Sequence, residues 1–280
     1  MPEGDTLHRL ANALRPALVG EAITGAWSHA WGPLDALKGE EVTSVEAVGK
    51  HLLIAFAREG ALRVHLGMRG VWHAYHRGGP WKRSPEAASL WLETARFTFV
   101  CFHASQVEWS TSSSSQRRAL HLGPDLLAAE YDFSLILARL RRCDPKRSIG
   151  EVLLDQRIAS GIGNVYKSEL LFLEGLHPWT PLGRIDETKL KAIYGLARKL
   201  LQRNVAMGGR RRTVFGALGG PGGARLWVYN RVGKACLRCG TSVATRRQGD
   251  QARSTFWCPS CQAEAPETLS ASGANPLPSS

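Results

Sequence analysis

The segment LLDQRIASGIGNVYKSELLF, residues 153–172, splits into two helices around a glycine turn. The pattern predicts one helix over 150–156 and a second over 164–174. Between them lies Ser160-Gly161-Ile162-Gly163-Asn164. Two glycines allow close backbone approach. Asn164 is a natural N-cap, and free amides beyond it would form an anion site suited to a phosphate. On this motif alone a plain helix hairpin remains the alternative.

Further helices are predicted over 125–142 and 187–203, with Asp125 and Asp186 as N-caps. Residues 208–223 hold seven Gly and three consecutive Arg, and read as a mobile basic loop. Upstream the period changes. Leu7, Leu10, Leu14 and Leu18 repeat at helical spacing, so a short amphipathic helix opens the chain. HLLIAFA (51–57), ALRVHLGM (61–68), GVWHAYH (70–76) and RFTFVCF (96–102) read as strands of an antiparallel sandwich. The polar run STSSSSQRR (110–118) reads as a loop. The expected fold is multidomain α+β. A β-sandwich lobe (1–110), a linker (111–122), a helical lobe (123–225), a Cys-rich module (226–262) and a disordered tail (263–280) follow one another.

The chain of 280 residues carries 36 Lys and Arg against 24 Asp and Glu, a net charge of +12. Eleven of the basic residues fall between Gln202 and Arg253, with Asp250 as the single acid there. That excess makes a polyanion the first partner to consider. No run of 18 apolar residues suggests a membrane span, and MPEGDTLHRL shows no export signal. A cytoplasmic monomer is the expectation.

Cys236-Leu-Arg-Cys239 and Cys258-Pro-Ser-Cys261 are two CxxC pairs with 18 residues between them. Two such knuckles complete a tetrahedral four-sulfur shell, the structural zinc geometry, with no open position for catalysis. Arg246, Arg247 and Arg253 lie between the pairs, on what reads as a zinc-pinned β-hairpin. Cys101 reads as a buried strand thiol and Cys143 as a free thiol.

Met1 precedes Pro2 and is expected to be trimmed. Pro2 would then offer a secondary amine beside Glu3. An α-amine has a pKa of about 8 against about 10.4 for lysine, so on the order of a tenth is unprotonated at neutral pH. Such an amine attacking a sugar C1′ gives a charged iminium that activates the neighbouring C–H for elimination.

Taken in order, MPEGDT at the start, GKHLL (49–53), HLGM (65–68), LGPD (122–125), the 153–172 segment and RSTFWCPSCQ (253–262) resemble the Fpg/Nei family of DNA glycosylase/AP lyases. The opening PEG is similar to the endonuclease VIII side, in an actinobacterial form. The resemblance implies roles residue by residue. Pro2 matches the Schiff-base nucleophile, and Glu3 the acid that opens the deoxyribose. Lys50 matches a lysine that contacts phosphate and assists proton transfer. Asn164 matches the asparagine that binds the phosphate of the flipped nucleotide. Arg253 matches the zinc-finger arginine that binds phosphate and assists δ-elimination. Cys236, Cys239, Cys258 and Cys261 match the zinc ligands. Met68 and His121 stand at DNA-contacting positions where the pattern departs, as it does at Thr6, Gly67 and in the loop 105–118. These departures bear on which base is chosen. The implied activity is removal of oxidised bases, preferably pyrimidines, from damaged DNA, then nicking by β,δ-elimination. A formamidopyrimidine or 8-oxoguanine glycosylase is the alternative within the family. A zinc-finger DNA-binding protein without catalysis is the alternative outside it.

Overall fold

In the computed structural model, residues 2–58, 60–110, 121–214 and 223–264 are described. Helix α1 (Gly4–Leu18) opens the chain and buries Leu7, Ala11, Leu14 and Leu18. Two antiparallel sheets follow. β1 (Gly25–Ser28), β2 (Gly32–Pro33), β6 (Val71–His76), β7 (Ala88–Glu93) and β8 (Phe97–Phe102) form one in the order β2-β1-β7-β8-β6. β3 (Val42–Val48), β4 (His51–Phe56), β5 (Ala61–His65) and β9 (Gln106–Ser110) form the other in the order β3-β4-β5-β9. In β4 Leu52, Ile54 and Phe56 face inward and alternate with half-buried residues, as a sandwich strand requires. They share one core with α1, Val64, Leu90, Leu92 and Phe99. β8 is buried on both faces, because Tyr75, Trp81 and Trp91 cover its outer side. Cys101 is buried there as expected.

The second lobe contains α2 (Phe133–Leu140), α3 (Ile149–Leu154), α4 (Asn164–Leu173) and α5 (Glu187–Met207) around their own core. Asp186 caps α5 by accepting from Lys189 N at 2.8 Å. Three sequence expectations need correction. The helix expected over 125–142 begins only at Phe133, capped by Asp132. Residues around Asp125 spend their backbone groups elsewhere: Leu126 N donates to Ser160 O, and Arg198 donates to the Leu126 and Ala128 carbonyls at 2.7 and 2.8 Å. Asn164 is the first helical residue rather than the cap, which is Gly163 in extended backbone. Of the basic loop expected over 208–223, residues 208–214 are described and turn inward rather than lying wholly at the surface, with Thr213 and Val214 buried. Its residues 215–222, the 111–120 part of the expected linker and the tail from 265 lie outside the described residues.

The Cys-rich module ends in a hairpin of β10 (Ala244–Gln248) and β11 (Arg253–Trp257). It is tied to α4 through Glu169. That carboxylate is wholly buried and accepts from Trp227 N, Val228 N and Tyr229 N at 2.8–2.9 Å, and from the Thr213 hydroxyl. Burial raises its pKa, and the four donors pull it back. Each buried donor left unpaired costs about 1–3 kcal/mol. Glu169→Ala is therefore expected to lower unfolding free energy by about 3 kcal/mol or more in a urea titration. A loss below about 1 kcal/mol would show that these amides do not depend on Glu169.

Candidate active site

The glycine turn and the chain's N-terminus build one site between the lobes. Gly4 N donates to Gly161 O at 2.9 Å. A Cβ on Gly4 would lie 2.9 Å from the Gly161 Cα, and one on Gly163 would lie 2.4 Å from the Glu3 carboxyl carbon. Gly161 also has a φ of +112°, which disfavours any side chain. These glycines let the first turn of α1 press against the start of α4. Glu3, wholly buried, fills the gap. Its Oε1 accepts from Val165 N at 2.8 Å, and its Oε2 from Gly163 N at 3.0 Å and Tyr166 N at 3.4 Å.

This corrects a second expectation about the turn. Its amides do form an anion site, but Glu3 occupies it. The Asn164 side chain is left as the polar group of the turn that can meet a ligand. Its Nδ2 donates to Ser254 O at 2.7 Å, while its Oδ1 is buried without a partner among the described residues.

A cleft of about 290 Å³ lies over this junction. Pro2, Lys50, Met68, Asn164 and Arg253 all line it, with His65 and Gln156. Five of the residues singled out by sequence thus meet in one cavity, and Glu3 sits directly beneath. His121 is exposed and does not line the cleft. Met68 projects from a turn and is 70% exposed.

Lys50 enters from the β3–β4 turn. Gly49 takes a φ of +57°, and a Cβ there would lie 2.7 Å from that of Ser160. Gly49 N donates to Asp125 Oδ2 at 2.7 Å, and His8 Nε2 lies 3.1 Å from the same oxygen. Asp125 therefore latches α1 and the Lys50 turn to the second lobe. Burial lowers the Lys50 pKa to about 8, with Glu3 opposing and Arg253 and Arg211 assisting the drop. Burial also lowers the pKa of His65, and that of His51 to about 3. Arg253 donates twice to Gln251 Oε1, at 3.1 and 3.0 Å, and meets no carboxylate among the described residues. Its charge stands available to an anionic ligand.

Sequence reasoning missed Arg211, Asp125, His65 and Gln156. Arg211 forks onto the buried Asp5, lies 3.7 Å from Glu3 and stacks over the Tyr166 ring at 5.0 Å. A signal existed: Glu3 and Asp5 flank one glycine, and two acids so close need a cation once buried. Gln156 clasps the turn, accepting from Gly161 N at 3.0 Å and donating to Ile162 O at 2.9 Å.

Away from the cleft, the four cysteines of the two CxxC pairs place their sulfurs within 4.8 Å of one another. Cys236 and Cys261 are 4.0 Å apart and Cys239 and Cys258 3.5 Å. A tetrahedral ion with sulfur bonds of about 2.3 Å needs separations of about 3.8 Å. The donor set and its spacing fit a metal ion.

Residues 1–112 match the formamidopyrimidine-DNA glycosylase N-terminal domain, and residues 122–215 its H2TH domain. A probable endonuclease 8 2 of Streptomyces coelicolor is 41% identical over 99% of each chain. The chain belongs to the Fpg/Nei family. Another family member, the DNA-(apurinic or apyrimidinic site) lyase Nei2 of Mycolicibacterium smegmatis, is 36% identical over 94% of this chain and 99% of its own. The Fpg/Nei fold is also seen in Lactococcus lactis Fpg in complex with abasic-site DNA. That structure superposes with a TM-score of 0.79 at 22% identity, over 94% of this chain and all of the other.

The pKa of Lys50 can be read directly with isotope-labelled lysine. Its ammonium is expected to titrate near 8, losing charge as pH rises through that value. Arg253→Ala removes a repelling cation and should raise the midpoint, whereas Glu3→Gln removes the opposing acid and should lower it. A Lys50 midpoint above 10 that neither change moves would contradict the described packing.

Proposed function

We propose that this protein is a bifunctional DNA glycosylase and AP lyase of base-excision repair, acting on oxidised bases, preferably pyrimidines. The observation that carries the reading is the cleft shared by Pro2, Lys50, Asn164 and Arg253, with Glu3 locked beneath it. The names borne by its 41% and 36% identical relatives point to the same chemistry.

The damaged nucleotide leaves the stack to reach the cleft. After trimming of Met1, the Pro2 amine attacks C1′, and the base departs with a proton. Glu3 assists opening of the sugar ring. The iminium acidifies C2′–H; removal of that proton expels the 3′ phosphate. A second elimination expels the 5′ phosphate, and water then hydrolyses the iminium, releasing the sugar remnant as an aldehyde and returning the Pro2 amine. Lys50 serves these transfers well, because a lysine with a pKa near 8 gives up and regains a proton at neutral pH. Asn164 and Arg253 hold the flanking phosphates, and guanidinium does so while staying charged at any working pH. Met68 projects into the helix where the base has left. His121, remote from the cleft lining, is a contact for flanking DNA.

The four cysteines hold one structural zinc, which fixes the hairpin carrying Arg253. The enzyme works as a monomer in the cytoplasm, a reading that rests on its substrate.

Three experiments test this. Pro2→Gly replaces the secondary amine with a primary one and should retain weak borohydride trapping on abasic DNA, while an untrimmable N-terminal extension should abolish it. Normal trapping by the extended protein would transfer the nucleophile to another residue. Elemental analysis should find one zinc per chain. Cys258→Ser should lower both zinc content and DNA affinity; a metal-free protein with full affinity would refute the zinc reading. A panel of lesion duplexes then separates pyrimidine from formamidopyrimidine or 8-oxoguanine preference.

A further inference from the structure

Lys167 is a lysine with no exposed surface, one turn beyond Asn164 on α4. It does not line the cleft. Its Nζ donates to Thr255 Oγ1 at 2.6 Å, on the hairpin strand β11. The contact begins a chain of buried hydrogen bonds. Thr255 Oγ1 donates to Gln248 Oε1 at 2.9 Å, and Gln248 Nε2 donates to Ser148 Oγ at 2.9 Å and to Pro178 O at 2.8 Å. Ser148 in turn donates to Glu151 at 2.5 Å. Gln248 fits because residue 150 is glycine; a Cβ there would lie 2.4 Å from its Oε1.

The same helix face holds β11 at three consecutive residues. Asn164 meets Ser254 O, Lys167 meets Thr255, and Ser168 Oγ accepts from Phe256 N at 3.5 Å. Arg253 is the first residue of that strand and pairs across the hairpin with Gln248. The middle members of the Lys167 chain, Thr255 and Gln248, therefore sit on the hairpin two residues beyond and directly across from the arginine, while its ends, Lys167 and Glu151, belong to the second lobe.

We propose that Lys167 is a positioning residue, whose bond to Thr255 sets the hairpin against the second lobe so that Arg253 reaches the lesion phosphates. The inference rests on the role given to Arg253 above. Burial lowers the Lys167 pKa to about 7, and Arg253 lowers it further while Glu3 and Glu151 oppose. Desolvating an amine is costly, and a methionine of similar length would fold at least as well. A lysine kept only for stability is thus poorly explained, and a geometric role is separable from it.

The test uses full-length protein with its metal. Lys167→Met should melt at or above the wild-type temperature. It should raise the share of the β-elimination product over the 3′-phosphate several-fold on abasic DNA, and change borohydride trapping much less. Thr255→Val, which deletes only the hydroxyl, should do the same, and Thr255→Ser should restore the wild-type partition. Amide exchange over 251–257 should quicken in Lys167→Met and Thr255→Val alone. Wild-type partition in both variants, or equal loss of trapping and both products together with a lowered melting temperature, would overturn the proposal. Arg253→Ala serves as the comparator. If it leaves the products unchanged, the role of Arg253 fails, and unchanged exchange in Lys167→Met then overturns the positioning claim by itself.

Discussion

The Glu3 carboxylate, seated on the amides of Gly163, Val165 and Tyr166, joins the two lobes at the point where chemistry is proposed to occur. A helix N-terminus has orphan N–H groups that need an acceptor. Here the acceptor comes from the far end of the chain. The bond fixes Pro2 over the glycine turn, and the turn's remaining side chain, Asn164, then faces the same cleft. Asp125 makes the matching tie on the other side, holding Gly49 and with it Lys50. Loss of the Glu3 seat would free Pro2 and the turn together and leave the Lys50 turn held by Asp125 alone.

Charge is concentrated around that seat. Glu3 and Asp5 are wholly buried, with Arg211 forked over Asp5 and only 12% exposed. A buried carboxylate without a partner would cost several kcal/mol, so Arg211 is needed for the fold as well as the site. Lys50, Lys167 and Arg253 surround the acids. Burial, helped by repulsion from Arg253, holds both lysines below the ordinary lysine range. Of these cations Lys50 and Arg253 line the cleft, where an anionic ligand can meet them.

Much of this was legible in the sequence. The strands at 51–57 and 96–102 could be read because sandwich strands repeat locally, and the two CxxC pairs because metal geometry dictates spacing. Pro2, Glu3, Lys50, Asn164 and Arg253 were named from family motifs, and all of these but the buried Glu3 line one cavity, together with Met68. What sequence could not give is where a side chain finds its partner. Asp125 looks like a helix cap locally, yet its oxygens serve Gly49, His8 and Leu127. The turn's amides look free, yet Glu3 takes them. Arg211 looks like one of three surface arginines in a glycine loop, yet Asp5 draws it inside. Each of these is a contact between residues far apart in the chain; the paired acids Glu3 and Asp5 signal that a cation is needed, but local pattern does not say which one.

The central claim is that the group beside Glu3 is the nucleophile. Mass-spectrometric mapping of the borohydride-reduced complex with abasic DNA tests it most directly. The account predicts a chain beginning at Pro2, with the sugar remnant on the Pro2 nitrogen. An adduct on the ε-amine of Lys50 or Lys167, or on a chain that retains Met1, would contradict it.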